Sequence, residues 1–417
     1  MGGAALTSPD TGVVGVSSVA VVPVLSLVAQ EADVHVLIAP DSFKESLTSP
    51  EAAAAMQEGW LRGAPGSTCR TAPLADGGEG TVQALVAATG GRTERCEVTG
   101  PLGEPVSAEF GVLGGPGPRS AVVEVAAASG LALVPRHRRD ALRATSTGTG
   151  ELIAAALDLG VDRVVLGLGG SATTDGGAGM LRALGARLLD ERGEEVHGGG
   201  GDLGRVVGVD TSGLHPGLAT CEVVAACDVD NPLCGPRGAA AVYGPQKGAD
   251  GDAVALLDGH LASFARVVAA QLPDADPDAP GTGAAGGIGF AVLTLLGGSL
   301  RPGFELVSEA VGLGRLVDEA DLVLTGEGRL DAQSLAGKTP VGVLRLARAR
   351  GVPVIAIGGS LGDDVDQLVD AGMTAVVSCI PGVVDHQQAM AGAYANVART
   401  TAALAAVWVA ARRSGER

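Results

Sequence analysis

Lysine is rare in this chain, and its positions are the first clue to chemistry. Of the 29 Lys and Arg residues only Lys44, Lys247 and Lys338 are lysines, and each lies in a segment rich in glycine, proline or serine. A lysine ammonium is a compact charge with three rotatable donors, which suits a phosphate oxygen beside a Gly-rich loop. The pattern predicts that at least two of the three bind a phosphate or a substrate; the alternative is that chance placed them in loops.

Five loop motifs combine small residues with carboxylates, and each follows a predicted strand. Because ligands of open α/β sheets bind where strands end and helices begin, these loops form the predicted site. The motifs are IAPDSFK with Asp41, Ser42 and Lys44; LADGGEGT with Asp76 and Glu79; LGGSATTDGGAG with Ser171, Thr173, Thr174 and Asp175; ACDVDNPLCG with Asp228, Asp230 and Asn231; and LTGEGRLDAQSLAGKTP with Glu327, Arg329, Asp331 and Lys338.

The residue types in these motifs suit an anionic ligand and a metal ion. Small residues let backbone N–H groups approach an anion, and carboxylates can hold Mg²⁺ or accept a proton. Asp76 or Asp228 could instead only cap a helix or a turn, and Asp230 is predicted to be a turn residue. None of the six histidines lies in the motifs, so a general base is predicted to be an aspartate, and Ser42 and Ser171 are not favoured as covalent nucleophiles.

One motif also matches a dinucleotide-binding fingerprint. Gly167, Gly169 and Ala172 fit G-x-G-x-x-A after a predicted strand, and Asp190 lies at a suitable distance to bind a ribose. The fingerprint needs a helix to start at once, and residues 175–177 (Asp-Gly-Gly) interrupt it, since each glycine in a helix costs about 1 kcal/mol. An NAD-dependent oxidoreductase is therefore the less favoured alternative.

A second partial match is Gly337-Lys338-Thr339. It is not a P-loop, because Ala332 stands where that motif needs a glycine. Thr339 and Pro340 instead predict the start of a helix, and Lys338 would then lie at a helix N-terminus, which favours anions.

The composition limits the class of protein. The chain has 417 residues, of which 46% are hydrophobic and only 2% aromatic, and 66 are glycine, so small aliphatic residues must build the core. The length predicts two domains. The formal net charge of −18 argues against nucleic acid or an anionic membrane as a general partner. Six cysteines without a CxxC pair predict reduced thiols in a cytoplasmic protein, without a zinc site.

Residues 1–33 differ from the rest of the chain. Residues 12–29 are mildly apolar, but no Lys or Arg precedes Lys44, which argues against a secretory signal. Pro23 and several Ser and Gly residues argue against a membrane-spanning helix. We expect a disordered leader or a start upstream of the native one, and no later segment is predicted to cross a membrane.

The order of predicted elements is typical of α/β proteins. Strands are predicted at 34–40, 163–168 and 222–227, short antiparallel or mixed strands within 92–128, and a regular parallel unit in the C-terminal third. Ser49, Pro50 and Gly63 predict the cap, first turn and end of the first helix. The predicted fold is two α/β domains with a cleft between them: a discontinuous Rossmann-like domain with a parallel sheet (34–90 and about 284–417) and a mixed-sheet domain (about 91–283).

The motifs lie within longer blocks that resemble the type 1 glycerate kinase family, the bacterial glycerate 2-kinases. The resemblance runs from about residue 34 to about residue 412, and all three lysines lie inside it. Thr174 replaces an Asn that is frequent in the family, and residues 1–33 have no counterpart. The blocks are IAPDSFKESLTSPEAA, PLADGGEGTV, VTGPLGEPV, EVAAASGLALVP, TSTGTGELI, GGSATTDGGAGML, ACDVDNPLCGPRGA, YGPQKGA, GAAGGIGFA and TGEGRLDAQSLAGKTPVGV.

The resemblance implies phosphoryl transfer from ATP, with Mg²⁺, to D-glycerate in a cleft between two α/β domains. Members of type 1 are associated with 2-phosphoglycerate as the product. Phosphorylation of the 3-hydroxyl, and a non-catalytic sensor of a nucleotide or organic acid, stay open as alternatives. A cytoplasmic enzyme of organic-acid metabolism is expected, with a homodimer as an open assembly and without nucleic acid or membrane as partners.

Individual roles are hypotheses built on these residues. Lys44 and Arg329 are candidates for the glycerate carboxylate or the transferred phosphate, and Asp228 or Asp76 for orienting or deprotonating the attacking hydroxyl. The candidate substrate-binding residues are Asp41, Ser42, Glu79, Glu327 and Asp331. The candidate ATP-binding residues are Gly169, Gly170, Ser171, Ala172, Thr173, Asp175, Gly176, Lys247 and Lys338, and the candidate metal ligands are Asp175 and Asp228.

Overall fold

The computed structural model describes residues 1, 34–78, 80–336 and 339–415, so the predicted leader lies almost entirely outside the described residues. The strands are β1 His35–Ile38, β2 Thr68–Thr71, β3 Arg92–Thr99, β4 Pro105–Val112, β5 Ser120–Glu124, β6 Arg163–Gly167, β7 Arg187–Leu189, β8 Gly208–Asp210, β9 Glu222–Ala226, β10 Ser299–Arg301, β11 Leu322–Leu330, β12 Val354–Leu361 and β13 Ala375–Ser378. The α-helices are α1 Ser49–Gly63, α2 Thr81–Thr89, α3 Val125–Ser129, α4 Thr147–Asp158, α5 Ala178–Ala183, α6 Ala239–Tyr243, α7 Gly251–Gln271, α8 Ile288–Thr294, α9 Gly303–Ala310, α10 Leu313–Asp318, α11 Thr339–Arg348, α12 Asp366–Asp370, α13 His386–Ala391 and α14 Ala393–Gly415.

Two main sheets organise these elements, and they confirm the predicted α/β class. One sheet has the strand order β13-β12-β11-β1-β2, and all its pairings are parallel. The other has the order β10-β9-β6-β5-β4-β3; it is parallel from β10 to β5 and antiparallel at β4 and β3. A small antiparallel pair, β7 and β8, lies apart. The mixed strands therefore fall where the short Gly- and Pro-punctuated runs predicted them.

The first strand and helix show how local sequence specifies this fold. In β1, Val36 and Ile38 are buried on one face and Leu37 on the other, as in a parallel strand covered on both sides. Helix α1 begins at Ser49, but its cap is Thr48 and not Ser49 as we expected. Thr48 and Glu51 form a reciprocal capping box, which satisfies two backbone donors. Ser49 would lack an acidic partner three residues later, because that position is Ala52.

One hydrophobic cluster lies between the two sheets and belongs to both. It contains Leu37 and Val323 from the five-stranded sheet and Val165 and Val224 from the six-stranded sheet, and residues of α2, α9 and α11 fill the space between them. Strand β10 pairs with β9, so residues 299–301 belong to the six-stranded sheet. The domain division at about residues 90 and 284 stays a prediction.

The other face of the five-stranded sheet is covered by α1 and α14. This outer cluster contains Ile38 and Leu324 from the sheet, Trp60 from α1 and Val397 from α14. Glycine allows the close approach of the two helices, because a Cβ at Gly59 would collide with the backbone of α14. The opposite faces of this sheet thus support two separate clusters.

Helix α7 is the one described helix that is long and apolar enough to cross a membrane. Its apolar face, with Leu257, Leu261 and Phe264, is fully buried against the six-stranded sheet's cluster. Packing in the core therefore accounts for its composition. All six cysteines are free, as the absence of a CxxC pair suggested.

Candidate active site

The carboxyl ends of the two sheets meet through the loop that follows β2. A Cβ at Gly77, which has a φ of +87°, would lie 2.5 Å from the Ala226 Cβ at the end of β9. A Cβ at Gly169, after β6, would lie 2.9 Å from the Gly78 Cα. A side chain at Gly77 or Gly169 would prevent these approaches. The glycines of the LADGGEGT and LGGSATTDGGAG motifs therefore allow loops of the two sheets to lie in contact.

Four carboxylates from four of the predicted motifs lie near enough to this junction for their charges to interact. We call Glu327, Asp41, Asp76 and Asp228 the acidic row. The charge of Asp76 acts on both Asp41 and Asp228, and that of Glu327 acts on Asp41. Like charges that interact favour binding of a proton or a cation, and the four motifs therefore share one negatively charged region of the molecule.

Asp41 is the most buried member of the acidic row. Its Oδ1 accepts a hydrogen bond from the Ser42 N–H at 2.6 Å, and its Oδ2 accepts one from Thr339 Oγ1 at 2.6 Å. The pKa of Asp41 is raised to about 7, mainly by burial and also by the charges of Asp76 and Glu327, while the two hydrogen bonds lower it. Asp41 therefore ties the loop after β1 to the start of α11.

Asp228 lies at the other end of the row and remains accessible. Its Oδ1 accepts a hydrogen bond from the Gly303 N–H at 2.9 Å, at the start of α9. The pKa of Asp228 is raised to about 6, mainly by partial burial and also by the charges of Asp76 and Glu305, while the Gly303 hydrogen bond lowers it. Its exposed side leaves this carboxylate able to meet a ligand.

Two exposed basic residues lie beside the acidic row. The Gly328 backbone packs against that of Phe43 and Lys44, since a Cβ at Gly328 would lie 3.1 Å from the Lys44 N. Arg329 follows directly, and its Nε donates to Asp331 Oδ2 at 2.9 Å while its side chain stays 67% exposed. Arg329 lies near the end of β11 and not in the loop after this strand as predicted, and the loop that carries Lys44 packs beside this part of β11.

The remaining predicted substrate residues have structural partners or lie outside the described residues. Glu327 Oε1 accepts a hydrogen bond from Ser334 Oγ at 2.6 Å, which orders the turn after β11. Ser42 is partly buried next to Asp41. Glu79 and Lys338 lie outside the described residues, so their predicted roles stay predictions.

The GGSATTDGG loop after β6 is mostly an interior structure. Gly169 and Gly170 reach the surface, whereas residues 171–176 are buried. Asp175 is fully buried, and its two oxygens accept hydrogen bonds from the Ser146 N–H and Oγ (2.9 and 2.8 Å) and from the Gly177 and Gly179 N–H groups (3.1 and 3.2 Å). These contacts join the starts of α4 and α5 and leave the carboxylate little capacity for a metal ion.

Lys247 is also buried, beneath the same loop. Its Nζ donates to Ser171 Oγ at 3.0 Å and to the Thr173 carbonyl oxygen at 2.6 Å, and the residue is 3% exposed. The pKa of Lys247 is lowered to about 7, because the effect of burial outweighs the opposing charge of Asp175. Sequence analysis predicted a phosphate contact here, but in this arrangement the ammonium faces protein oxygens.

Sequence analysis missed Glu124 at the end of β5. This buried carboxylate accepts a hydrogen bond from the Val82 N–H at 2.8 Å, in the first turn of α2. The helix has Gly80 at its cap position and no side-chain cap of its own, so Glu124 supplies the negative charge there. The signal available was a carboxylate within a predicted short apolar strand, at the start of the EVAAASGLALVP block.

The structure also explains why the dinucleotide fingerprint fails. Helix α5 begins only at Ala178, well after Gly167 and Gly169. Asp190 accepts hydrogen bonds from the N–H groups of Arg192 and Glu194 within its own turn. The interruption by Asp175-Gly176-Gly177 is therefore real, and the oxidoreductase alternative loses its motif.

The described residues hold no cluster of three His, Cys, Asp or Glu side chains that could bind a metal ion by themselves. A cation at the acidic row would need ligands from elsewhere as well.

Fold and site together define an α/β protein in which the strand ends of a parallel and a mixed sheet gather carboxylates, basic side chains and Gly-rich turns, an arrangement that suits a small anionic ligand. A profile of the Glycerate kinase family matches residues 36–409, and the chain belongs to that family. It is 50% identical over 371 residues to a Glycerate kinase of Bacillus subtilis (strain 168), and 47% identical over 371 residues to a Glycerate 2-kinase of Escherichia coli (strain K12). Each alignment covers 89% of this chain and 97% of the relative.

A solved structure agrees with this assignment. A crystal structure described as a glycerate kinase 2 from Salmonella typhimurium LT2 superposes with a TM-score of 0.84 at 46% identity, covering 92% of this chain and 100% of that one. The chain is therefore an enzyme, a glycerate kinase.

Proposed function

We propose that this enzyme transfers the γ-phosphoryl group of ATP to the 2-hydroxyl of D-glycerate, giving 2-phosphoglycerate and ADP. The observation that supports this regiochemistry is the 47% identity, over 89% of the chain, to a relative named Glycerate 2-kinase. Phosphorylation of the 3-hydroxyl is the competing outcome, since other relatives are named only Glycerate kinase.

Lys44 and Arg329 supply the positive charge that this reaction needs. Both are exposed beside the acidic row, Lys44 on the loop after β1 and Arg329 near the end of β11. Glycerate carries a carboxylate, and the transferred group carries phosphate oxygens. One cation beside each anion reduces the repulsion between them as they approach. Arg329 is held by Asp331, which orients its guanidinium, whereas Lys44 is the more mobile point charge.

Asp228 accepts the proton of the attacking hydroxyl. The new bond joins the substrate oxygen to the γ-phosphorus, the bond from the γ-phosphorus to the oxygen of ADP breaks, and the hydroxyl proton passes to the Asp228 carboxylate. The Gly303 N–H holds that carboxylate in place while its other side stays accessible. An aspartate in this role agrees with the absence of histidine from the five motifs.

The donor chemistry of the acidic row fits Mg²⁺. This ion takes oxygen ligands and is commonly held by one or two carboxylates together with substrate phosphates and water. A row of carboxylates without a complete protein cage is consistent with that pattern. Asp76 would hold the ion, which neutralises phosphate charge; Asp175 is not retained as a ligand because its oxygens are occupied.

Gly169 and Gly170 would contact the ATP phosphates through their backbone. They are the accessible part of the GGSATTDGG loop, beside the junction of the two sheets. A cytoplasmic location and assembly as a homodimer stay predictions.

The test is to incubate the enzyme with ATP, Mg²⁺ and D-glycerate and to couple the product to enolase without phosphoglycerate mutase. Formation of phosphoenolpyruvate is expected, because enolase consumes only the 2-phosphate. ADP without phosphoenolpyruvate would instead assign the 3-hydroxyl. Asp228→Asn is the matched variant: we expect loss of turnover with ATP-dependent protection against thermal unfolding retained. Unchanged kcat in this variant would remove Asp228 as the base.

A further inference from the structure

Lys247 is a buried charge that the proposed chemistry does not use directly. A lysine is rarely buried unless it is paired, because its ammonium loses hydration. Here the ammonium is oriented toward two acceptors of one loop, Ser171 Oγ and the Thr173 carbonyl oxygen. Burying the ammonium costs free energy, and its two hydrogen bonds to the loop offset that cost. Movement of the loop away from Lys247 would break these hydrogen bonds.

The turn that carries Lys247 is fixed from several sides. Residues 245–247 form a single 3-10 turn, and Gly248 follows with a φ of +96°. A Cβ at Gly248 would collide with the Arg139 carbonyl oxygen, and Arg139 Nη1 donates to the Gln246 carbonyl oxygen at 3.0 Å. On the preceding helix, Tyr243 OH donates to Asn231 Oδ1 at 2.6 Å. The ammonium therefore extends from a rigid base.

On its far side the loop rests against a second segment. Gly176 N–H donates to the Gly286 carbonyl oxygen at 2.9 Å, and Thr173 Oγ1 donates to the Ala285 carbonyl oxygen at 3.4 Å. Ala285 adopts a φ of 51°, a left-handed conformation that is strained for a residue with a side chain. The loop is thus held between Lys247 and residues 285–286, and only Gly169 and Gly170 emerge at the surface.

We propose that Lys247 is a positioning residue: through Ser171 and Thr173 it fixes the accessible Gly169–Gly170 backbone in the conformation that receives the phosphates of ATP. This inference rests on the proposed nucleotide role of that backbone. The ammonium acts without touching the nucleotide, which separates it from the exposed Lys44. Lysine serves here because its three donors diverge from one atom and can reach a hydroxyl and a carbonyl together.

The test compares Lys247→Met, Ser171→Ala and the double variant, with Gln246→Ala as the control, because Gln246 is an exposed neighbour of Lys247 in the same turn. Binding of a non-hydrolysable ATP analogue and of D-glycerate is measured by calorimetry, apart from turnover. We expect Lys247→Met to weaken analogue binding at least tenfold and to leave D-glycerate binding within twofold, whereas Gln246→Ala binds the analogue within threefold of the unmodified protein.

The double-variant cycle separates positioning from direct contact. If Lys247 acts through Ser171, the two losses are not additive, and the double variant binds the analogue about as weakly as Lys247→Met alone. Additive losses would indicate separate contacts with the nucleotide and overturn the proposal, as would unchanged analogue binding in Lys247→Met. If Lys247→Met does not fold, Ser171→Ala alone decides. A selective loss of analogue affinity in Ser171→Ala supports positioning, and unchanged analogue affinity in that variant refutes the proposal. An unmodified enzyme that does not bind the analogue would refute the proposed ATP site itself.

Discussion

At the scale of single residues, Lys44 offers the sharpest test of the charge arrangement. It is exposed beside Gly328 and Arg329, so removing its charge should not disturb packing. We expect Lys44→Ala to lower kcat/KM by about a hundredfold, the scale of losing one group that stabilises developing charge, and Lys44→Arg to lose less because it keeps the charge in a different shape. Steady-state kinetics check this, with Arg62→Ala on α1 as a charge-loss control. Near-normal turnover in Lys44→Ala would exclude the role.

Asp41 gives a prediction on stability and pH at the same scale. Its pKa is raised from 3.8 to about 7 in the folded state, so the folded protein holds this proton more tightly than the unfolded chain between these pH values. Tighter binding of this proton stabilises the folded state. The contribution is fully present below pH 3.8 and is lost as the pH rises through about 7. Asp41→Asn mimics the neutral form and should therefore raise the free energy of unfolding at pH 8 by up to about 4 kcal/mol, because the pKa rises by about three units at about 1.4 kcal/mol per unit.

At pH 5 the same substitution should change the stability by less than half as much, because Asp41 is then largely protonated in the folded state. Denaturant titrations at the two pH values measure the difference, and exposed Asp274→Asn serves as the control. A gain that is equal at both pH values would show that the proton on Asp41 is not involved.

At the scale of elements, Gly303 controls how α9 meets the acidic row. A Cβ there would collide with the Asp76 carbonyl oxygen and lie 2.9 Å from Asp228 Oδ2. We expect Gly303→Ala to displace both loops, lower kcat/KM at least tenfold and cost about 1–3 kcal/mol of stability. Gly259→Ala is the matched control in an exposed helical position with open space, where alanine should stabilise by up to about 1 kcal/mol. Unaltered activity in Gly303→Ala would mean that the loops adjust freely.

The same scale shows what sequence can and cannot predict. The positions of Asp41, Asp76 and Asp228 after strands were predictable, because alternating strands and helices determine where a parallel sheet ends. The burial of Asp175 and Lys247 was not, since a glycine-rich polar loop resembles a surface loop until residues 285–286, more than a hundred positions later, pack over it. The first cap was predicted at Ser49, and the pairing of Thr48 with Glu51 three residues later, which places the cap at Thr48, was overlooked.

At the scale of the whole molecule, the cluster shared by the two sheets predicts cooperative unfolding. Leu306 of α9 lies in the cluster to which both sheets contribute. We expect calorimetry to show one transition, and Leu306→Ala to lower its midpoint, at a cost of about 2–5 kcal/mol, without splitting it. Two resolved transitions, of which Leu306→Ala shifts only one, would show that the sheets unfold separately.

The outer cluster has a consequence for spectroscopy. The chain has two tryptophans, Trp60 and Trp408, and both pack in the layer formed by α1 and α14, on the face of the five-stranded sheet opposite the shared cluster. Intrinsic tryptophan emission is therefore a local optical probe of that layer. Separation of α14 from the sheet would change the emission, whereas events among the loops at the sheet junction would need a fluorophore introduced there to be seen.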